Sequence, residues 1–217
     1  MKGDITMIQV KFGFNTLDTL APLMMGAELG TGIFVDYISV NDRNYLVTEN
    51  QDEDKEINVR ELKDNFVKMI SDDWALLTAG KADDFNTMTV SWGGIGELWG
   101  KDVCFVFVRP QRYTYEFLEK EEYFTLSFYG GEFKDALKIC GSKSGRDINK
   151  AEVCGFTPVF TDGAVTFEQA EYTLVCRKMA SQFIDPKGFE DENIEKNYAA
   201  KDYHKVYIGE ILKVYAK

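Results

Sequence analysis

The sequence predicts a mainly β fold, an antiparallel barrel with peripheral helices, preceded by a small β-rich appendage. Strand-like segments outnumber helical ones, and they do not alternate in the strand–helix–strand rhythm of a doubly wound parallel sheet. A single charge run, Gln51–Glu56 (QDEDKE), reads as a solvated connection, which sets residues 1–55 apart from 56–217. Within the first segment, Met7–Phe14 reads as a strand, and Gly32–Val40 and Tyr45–Thr48 flank a hairpin turn at Asn41-Asp42-Arg43-Asn44. No chemistry-bearing motif falls there.

The second segment opens with a helical pattern. Asn58 suits a cap, Glu61 follows three residues later as in a capping box, and Val59, Leu62, Phe66, Met69 and Ile70 share one face. Strands are predicted at Trp74–Ala79, Thr87–Trp92, Val103–Val108, Phe124–Phe128, Phe156–Phe160, Tyr172–Arg177 and His204–Tyr215. Short helices are predicted at Thr114–Lys120 and at Glu132–Cys140, the latter presenting Phe133, Ala136, Leu137 and Cys140 at helical spacing.

Composition narrows the function. The chain has 217 residues, and 25 basic against 36 acidic side chains leave a net charge of −11. So acidic a chain has no overall field to draw nucleic acid or an anionic membrane surface. With 45% hydrophobic residues it has the apolar matter for a substantial core, so global disorder is excluded. The start MKGDITMIQVKFGF lacks the pattern of a secretory signal, and no run approaches the ~18 apolar residues of a membrane span, so a cytoplasmic protein is expected. Cys104, Cys140, Cys154 and Cys176 are widely spaced with no CxxC pair, which predicts reduced thiols and argues against a zinc site or a redox pair. His204 is the sole histidine, so no multi-histidine metal site exists.

Several segments carry candidate chemistry. Gly93-Gly94-Ile95-Gly96 with Gly100 misses the G-x-G-x-x-G spacing and opens no helix, so it reads as a mobile, close-packed loop. Strand Thr87–Trp92 alternates strictly, with Met88, Val90 and Trp92 on one face and Thr87, Thr89 and Ser91 on the other. That hydroxyl face meets either water or a polar ligand, and Asn86 adds an amide at its head. Arg109-Pro-Gln-Arg112-Tyr113-Thr114 stands where an apolar strand hands over to a helix. There, guanidinium groups and free backbone N–H groups would suit a phosphate, unless the arginines pair with Glu116 or Glu119. Ser144-Gly-Arg-Asp147, between Lys143 and Lys150, reads most simply as helix initiation through a capping box. His204 is either structural or a proton handler.

The run Asn86-Thr-Met-Thr89-Val-Ser-Trp92, then Arg109-Pro-Gln-Arg-Tyr-Thr-Tyr115-Glu, then Tyr123-Phe-Thr-Leu-Ser-Phe128 resembles the flavin reductase-like family, and more narrowly its flavoredoxin branch of FMN-binding split β-barrels. Ser144-Gly-Arg-Asp147 with Lys150 and His204-Lys-Val-Tyr-Ile-Gly209-Glu210 are similar to later family segments in the same order, so the resemblance spans about residues 56–217. It implies FMN as cofactor, with Asn86, Thr87, Met88 and Thr89 along the ring and ribityl chain and Ser91 and Trp92 close by. It places Arg112, Tyr113 and Thr114 on the phosphate with Arg109 nearby, and Ser127 and Phe128 at the ring's border. His204 would face the flavin where a nicotinamide donor stacks. The implied activity is NAD(P)H-dependent flavin reduction, with hydride passing from nicotinamide to flavin N5. The alternative is electron carriage between protein partners by bound FMN. A homodimer is expected, because family barrels pair and 3 Trp, 11 Tyr and 16 Phe exceed what one core readily hides.

Overall fold

The computed structural model describes residues 55–217 apart from 83 and 162, and, ahead of them, the backbone of strands within residues 24–47. The chain divides into two compact units, Met1–Glu53 and Asp54–Lys217. In the first, β1 (Met24–Leu29), β2 (Ile33–Val40) and β3 (Arg43–Val47) form an antiparallel sheet in that order, and Val40 opposite Arg43 sets the register of the expected hairpin. The strand expected at Met7–Phe14 lies outside the described residues.

The second unit begins with β4 (Lys55–Ile57). The helix predicted from Asn58 onward is split in two. Asn58 and Glu61 do form a reciprocal capping box, but it closes only a 3-10 turn, Val59–Glu61. A second cap, Asn65, accepts from the backbone N–H of Val67 and Lys68 and starts α1 (Phe66–Lys68), which continues as a π turn, Met69–Asp73. Then come β5 (Ala75–Lys81), β6 (Asp84–Val90), β7 (Gly93–Leu98), β8 (Lys101–Val108), α2 (Tyr113–Lys120), β9 (Tyr123–Phe128), α3 (Lys134–Ser142), α4 (Lys150–Cys154), β10 (Pro158–Thr161), β11 (Ala164–Phe167), β12 (Tyr172–Phe183) and β13 (Lys205–Ala216).

Eight strands form one antiparallel sheet, in the order β6-β5-β9-β12-β13-β8-β7, with β4 also on β13. Strands β6 and β7 stand at opposite ends of that order, yet only Ser91 and Trp92 separate them in sequence. So short a connection spans at most about 10 Å. The two edges of the sheet must therefore meet, and the sheet curls into a barrel that is split, not hydrogen-bonded, between β6 and β7. Met88, Val90, Val106, Val108, Leu126, Leu174 and Tyr207 are among the buried residues of its interior. A second apolar cluster, including Leu76, Leu137, Cys140, Phe156 and Phe167, anchors the outer helices and the β10–β11 ribbon.

Two sequence readings change here. The glycine-rich stretch after Trp92 is strand β7, not a mobile loop, paired residue for residue with β8 from Gly93 opposite Val106 to Leu98 opposite Lys101. Glycine is required at Gly93, because a Cβ there would lie 2.6 Å from the Phe105 carbonyl oxygen and 2.8 Å from Ile70 Cδ1. Ser144 does not start a helix. Its hydroxyl accepts from the Arg146 N–H in a turn, and the next helix, α4, is capped by Asn149 instead. Among the described residues, no helix is long and apolar enough to cross a membrane.

Candidate functional site

A cleft of about 170 Å³ opens at the split in the barrel. One wall is the end of β6 and the connection after it, Met88 to Trp92. The other is Phe107 of β8 with Arg109 and Arg112 from the turn into α2, and His204 stands at the head of β13. The structure thus brings together Met88, Thr89, Ser91, Trp92, Arg109, Arg112 and His204 from the sequence reading, and adds Val90, which lies within the same run without an assigned role, and Phe107, which no motif marked.

The other expected residues lie elsewhere, each for a physical reason. Thr87 is 1% exposed; its hydroxyl meets Thr78 Oγ1 at 2.9 Å and donates to the Leu77 carbonyl, so this part of the hydroxyl face is spent within the sheet. Thr89 lines the cleft, although its hydroxyl donates to the Leu137 carbonyl of α3. Thr114 is fully buried and accepts from Asn86 Nδ2 at 2.7 Å, so its hydroxyl positions Asn86. Asn86, Thr87 and Tyr113 line a separate, larger cleft of about 730 Å³, bounded by residues 145–152. Ser127 and Phe128 do not border the smaller cleft. The Ser127 hydroxyl is buried against Thr166 (3.0 Å) and Thr173 (3.1 Å), and Phe128 packs edge-on against Phe66 with ring centroids 5.4 Å apart. A sequence shows which strand faces carry hydroxyls, but it does not show that the β10–β11 ribbon covers one of them.

The two arginines differ in kind. Arg109 Nη1 is paired with Asp202 at 2.6 Å, its Nη2 donates to the Asn197 carbonyl at 2.8 Å, and its guanidinium sits 5.3 Å from the Tyr198 ring centre. Its charge is largely answered. Arg112 meets only carbonyl oxygens: Gly141 O at 2.7 Å and Cys140 O at 3.4 Å, both at the C-terminal end of α3. Burial, and then the Arg109 guanidinium, loosen its hold on its proton. Lys150 reaches the same Cys140 carbonyl at 2.8 Å and Thr87 O at 2.7 Å; it is 4% exposed. Burial first, and the neighbouring Arg112 second, lower its ammonium from 10.5 to about 8. A half-buried guanidinium and a buried ammonium thus converge on one carbonyl with no carboxylate bonded to either. The sequence offered Lys150 only as the neighbour of a basic turn. Its convergence with Arg112 is a tertiary contact.

His204 is held by an aromatic group. Its Nδ1 is 2.9 Å from the Tyr198 hydroxyl, and its ring lies 5.0 Å from the Trp92 ring centre. Tyr198 in turn stacks on Phe189, centroids 6.0 Å apart. Burial and then the Arg109 guanidinium depress His204 to about 4, against an opposing pull from Asp202, so the imidazole is neutral at neutral pH. Trp92 itself is 46% exposed at the cleft mouth.

The chain belongs to the family of the flavin reductase like domain, whose pattern matches residues 69–217. Solved structures of similar fold include flavoredoxin from Methanosarcina acetivorans (21% identity, 66% of this chain and 68% of that one, TM-score 0.52). Another is an FMN-binding domain of a flavin reductases-like enzyme from Shewanella baltica (17%, 76% and 77%, 0.55). A third is nitrilotriacetate monooxygenase component B from Bacillus cereus (14%, 76% and 83%, 0.53). No curated protein matches the chain.

Proposed function

We propose that the chain binds FMN at the split of the barrel and serves as an NAD(P)H-dependent flavin reductase. The observation that carries this reading is Arg112, a guanidinium satisfied by carbonyl oxygens alone, on the same cleft as an apolar, aromatic wall. A phosphate dianion is the partner such a cation lacks, and Lys150 behind it adds positive charge. When bound, the flavin supplies hydride acceptance at N5 from a nicotinamide. Trp92 and Phe107 would offer the ring an aromatic seat, and Arg112 would hold the anionic tail. Neutral His204, oriented by Tyr198, offers its outer ring nitrogen to a polar edge of flavin or donor. The described residues hold no group of three carboxylates, thiols or imidazoles fit for a metal, and hydride transfer between stacked rings asks for placement more than for an acid–base pair.

At about 170 Å³, the cleft is smaller than the ~300–1,000 Å³ of common ligand pockets. With Trp92 exposed at its mouth, it is a half-site, and the proposal includes a homodimer whose second copy completes it. Light scattering tests that part, with a dimer mass expected. A second reading, an FMN electron carrier, is favoured by the exposed aromatic rings of Trp92 (46%) and Trp99 (59%), on which a redox protein could dock. Oxidation of NADH or NADPH in the presence of FMN separates the two. Donor turnover above background supports the reductase, and tight FMN binding without turnover supports the carrier. Absence of FMN binding refutes both.

A further inference from the structure

The cysteines, scattered in sequence, are not scattered in space. Cys140 near the end of α3 and Cys154 at the end of α4 bring their sulfurs to 3.6 Å, and Cys154 Sγ also lies 3.5 Å from the Ala136 carbonyl. We propose that Cys140 and Cys154 form a dithiol modification site, which a low-molecular-weight disulfide oxidises to an intrachain disulfide. The two sulfurs are already in contact, and a bond would close the 3.6 Å between them to about 2 Å. Access is graded. Cys154 is partly exposed, whereas Cys140 is fully buried, so Cys154 is the point of entry. Burial also pushes the Cys140 thiol up, so it is protonated at neutral pH and is not the first nucleophile.

The chemistry balances without any group from the flavin cleft. The Cys154 thiolate attacks one sulfur of glutathione disulfide, forming a mixed disulfide and releasing one glutathione thiolate. Cys140 then attacks the Cys154 sulfur, its proton passing to the second glutathione as it departs. Two protein thiols are oxidised and one glutathione disulfide is reduced to two glutathiones. The other two thiols are an internal control: Cys104 and Cys176 are both fully buried, beneath Gly209 of β13, and no oxidant reaches them. The ring closed by oxidation would run from 140 to 154. It contains Lys150 and the two carbonyls, Cys140 and Gly141, that orient Arg112.

The test uses the reduced full chain. It is incubated with glutathione disulfide, alkylated in denaturant, digested and mapped by mass spectrometry. The expected result is a Cys140–Cys154 linked peptide lacking two hydrogens, with Cys104 and Cys176 recovered alkylated. Cys154→Ser is expected to abolish the link and leave Cys140 as a free thiol, and Cys140→Ser to stop at a glutathione adduct on Cys154. Should Cys140→Ser fail to fold, Cys154→Ser still decides the matter. Recovery of both cysteines alkylated in the wild type, a persistent glutathione adduct on Cys154, or a link involving Cys104 or Cys176 would each overturn the proposal. The readout is independent of flavin, so it fails or succeeds separately from the proposed function.

Discussion

Arg112→Gln removes the one guanidinium in the cleft that has no carboxylate partner, while keeping an amide able to donate toward Gly141 O. In the wild type, a phosphate held by Arg112 would gain one charge-assisted hydrogen bond. Hydrogen bonds to charged groups contribute about 1.5–3 kcal/mol, so FMN affinity should fall roughly 10- to 150-fold. The fold should tolerate the change. Arg112 is already penalised by burial and by Arg109, and its loss leaves Cys140 O with the Lys150 ammonium at 2.8 Å. Stability should move by about 1 kcal/mol or less. Because Arg112 is the second cause of the low Lys150 value, the variant's Lys150 should also hold its proton to higher pH. The assay is titration of FMN by quenching of its fluorescence, alongside a thermal melt of the unliganded chain. An unchanged dissociation constant in a variant that melts normally would refute the phosphate assignment.

Three other perturbations address the surroundings. His204 falls from 6.5 to about 4 on folding, so in the unfolded chain it binds more protons between those values; stability should therefore rise from pH 4 to pH 6.5 and be flat above. That slope amounts to at most ~3 kcal/mol, at about 1.4 kcal/mol per pH unit, and urea unfolding of His204→Gln at pH 4 and pH 7 should lack it. Equal slopes in variant and wild type would count against a buried, neutral His204. Gly145→Ala would put a Cβ 1.8 Å from Asn86 Oδ1 and 3.1 Å from Tyr113 Cδ1; displacement of Asn86 should break its bond to Thr114 and lower the melting temperature, by about 1–3 kcal/mol of overpacking. Gly209→Ala would place a Cβ 2.5 Å from Phe124 Cζ and 2.9 Å from Cys176 Cβ in the core, with a similar loss. A melt as high as that of the wild type in either variant would show the packing to be looser than described.

Local chemistry carried most of the fold. Apolar alternation marks β6, β9 and β13, and a continuous apolar run marks β8, to within a few residues, because their inward faces fill one barrel interior. What failed was legible only in three dimensions. Glycine lowers strand propensity, so β7 read as a loop, although Gly93 is there to let the strand approach Phe105. The Asn58 capping box was real yet closed a single turn, because Asn65, seven residues on, offered a competing start. For the site, the motifs in order gather part of their residues at one cleft and the rest elsewhere. The hydroxyls of Thr87, Thr114 and Ser127 bond to partners in other elements, the nearest nine residues away in sequence. The Arg112–Lys150 convergence and the Cys140–Cys154 contact depend likewise on α3 and α4 packing together, which residue spacing alone does not encode.

A flavin seated at the split between β6 and β7 would be seen in a crystal structure of the chain grown with FMN. Ring density is expected against Met88–Trp92 and Phe107, with the phosphate within hydrogen-bond reach of the Arg112 guanidinium. Flavin density confined to the larger cleft along residues 145–152, with Arg112 still bonded only to Cys140 and Gly141, would contradict it.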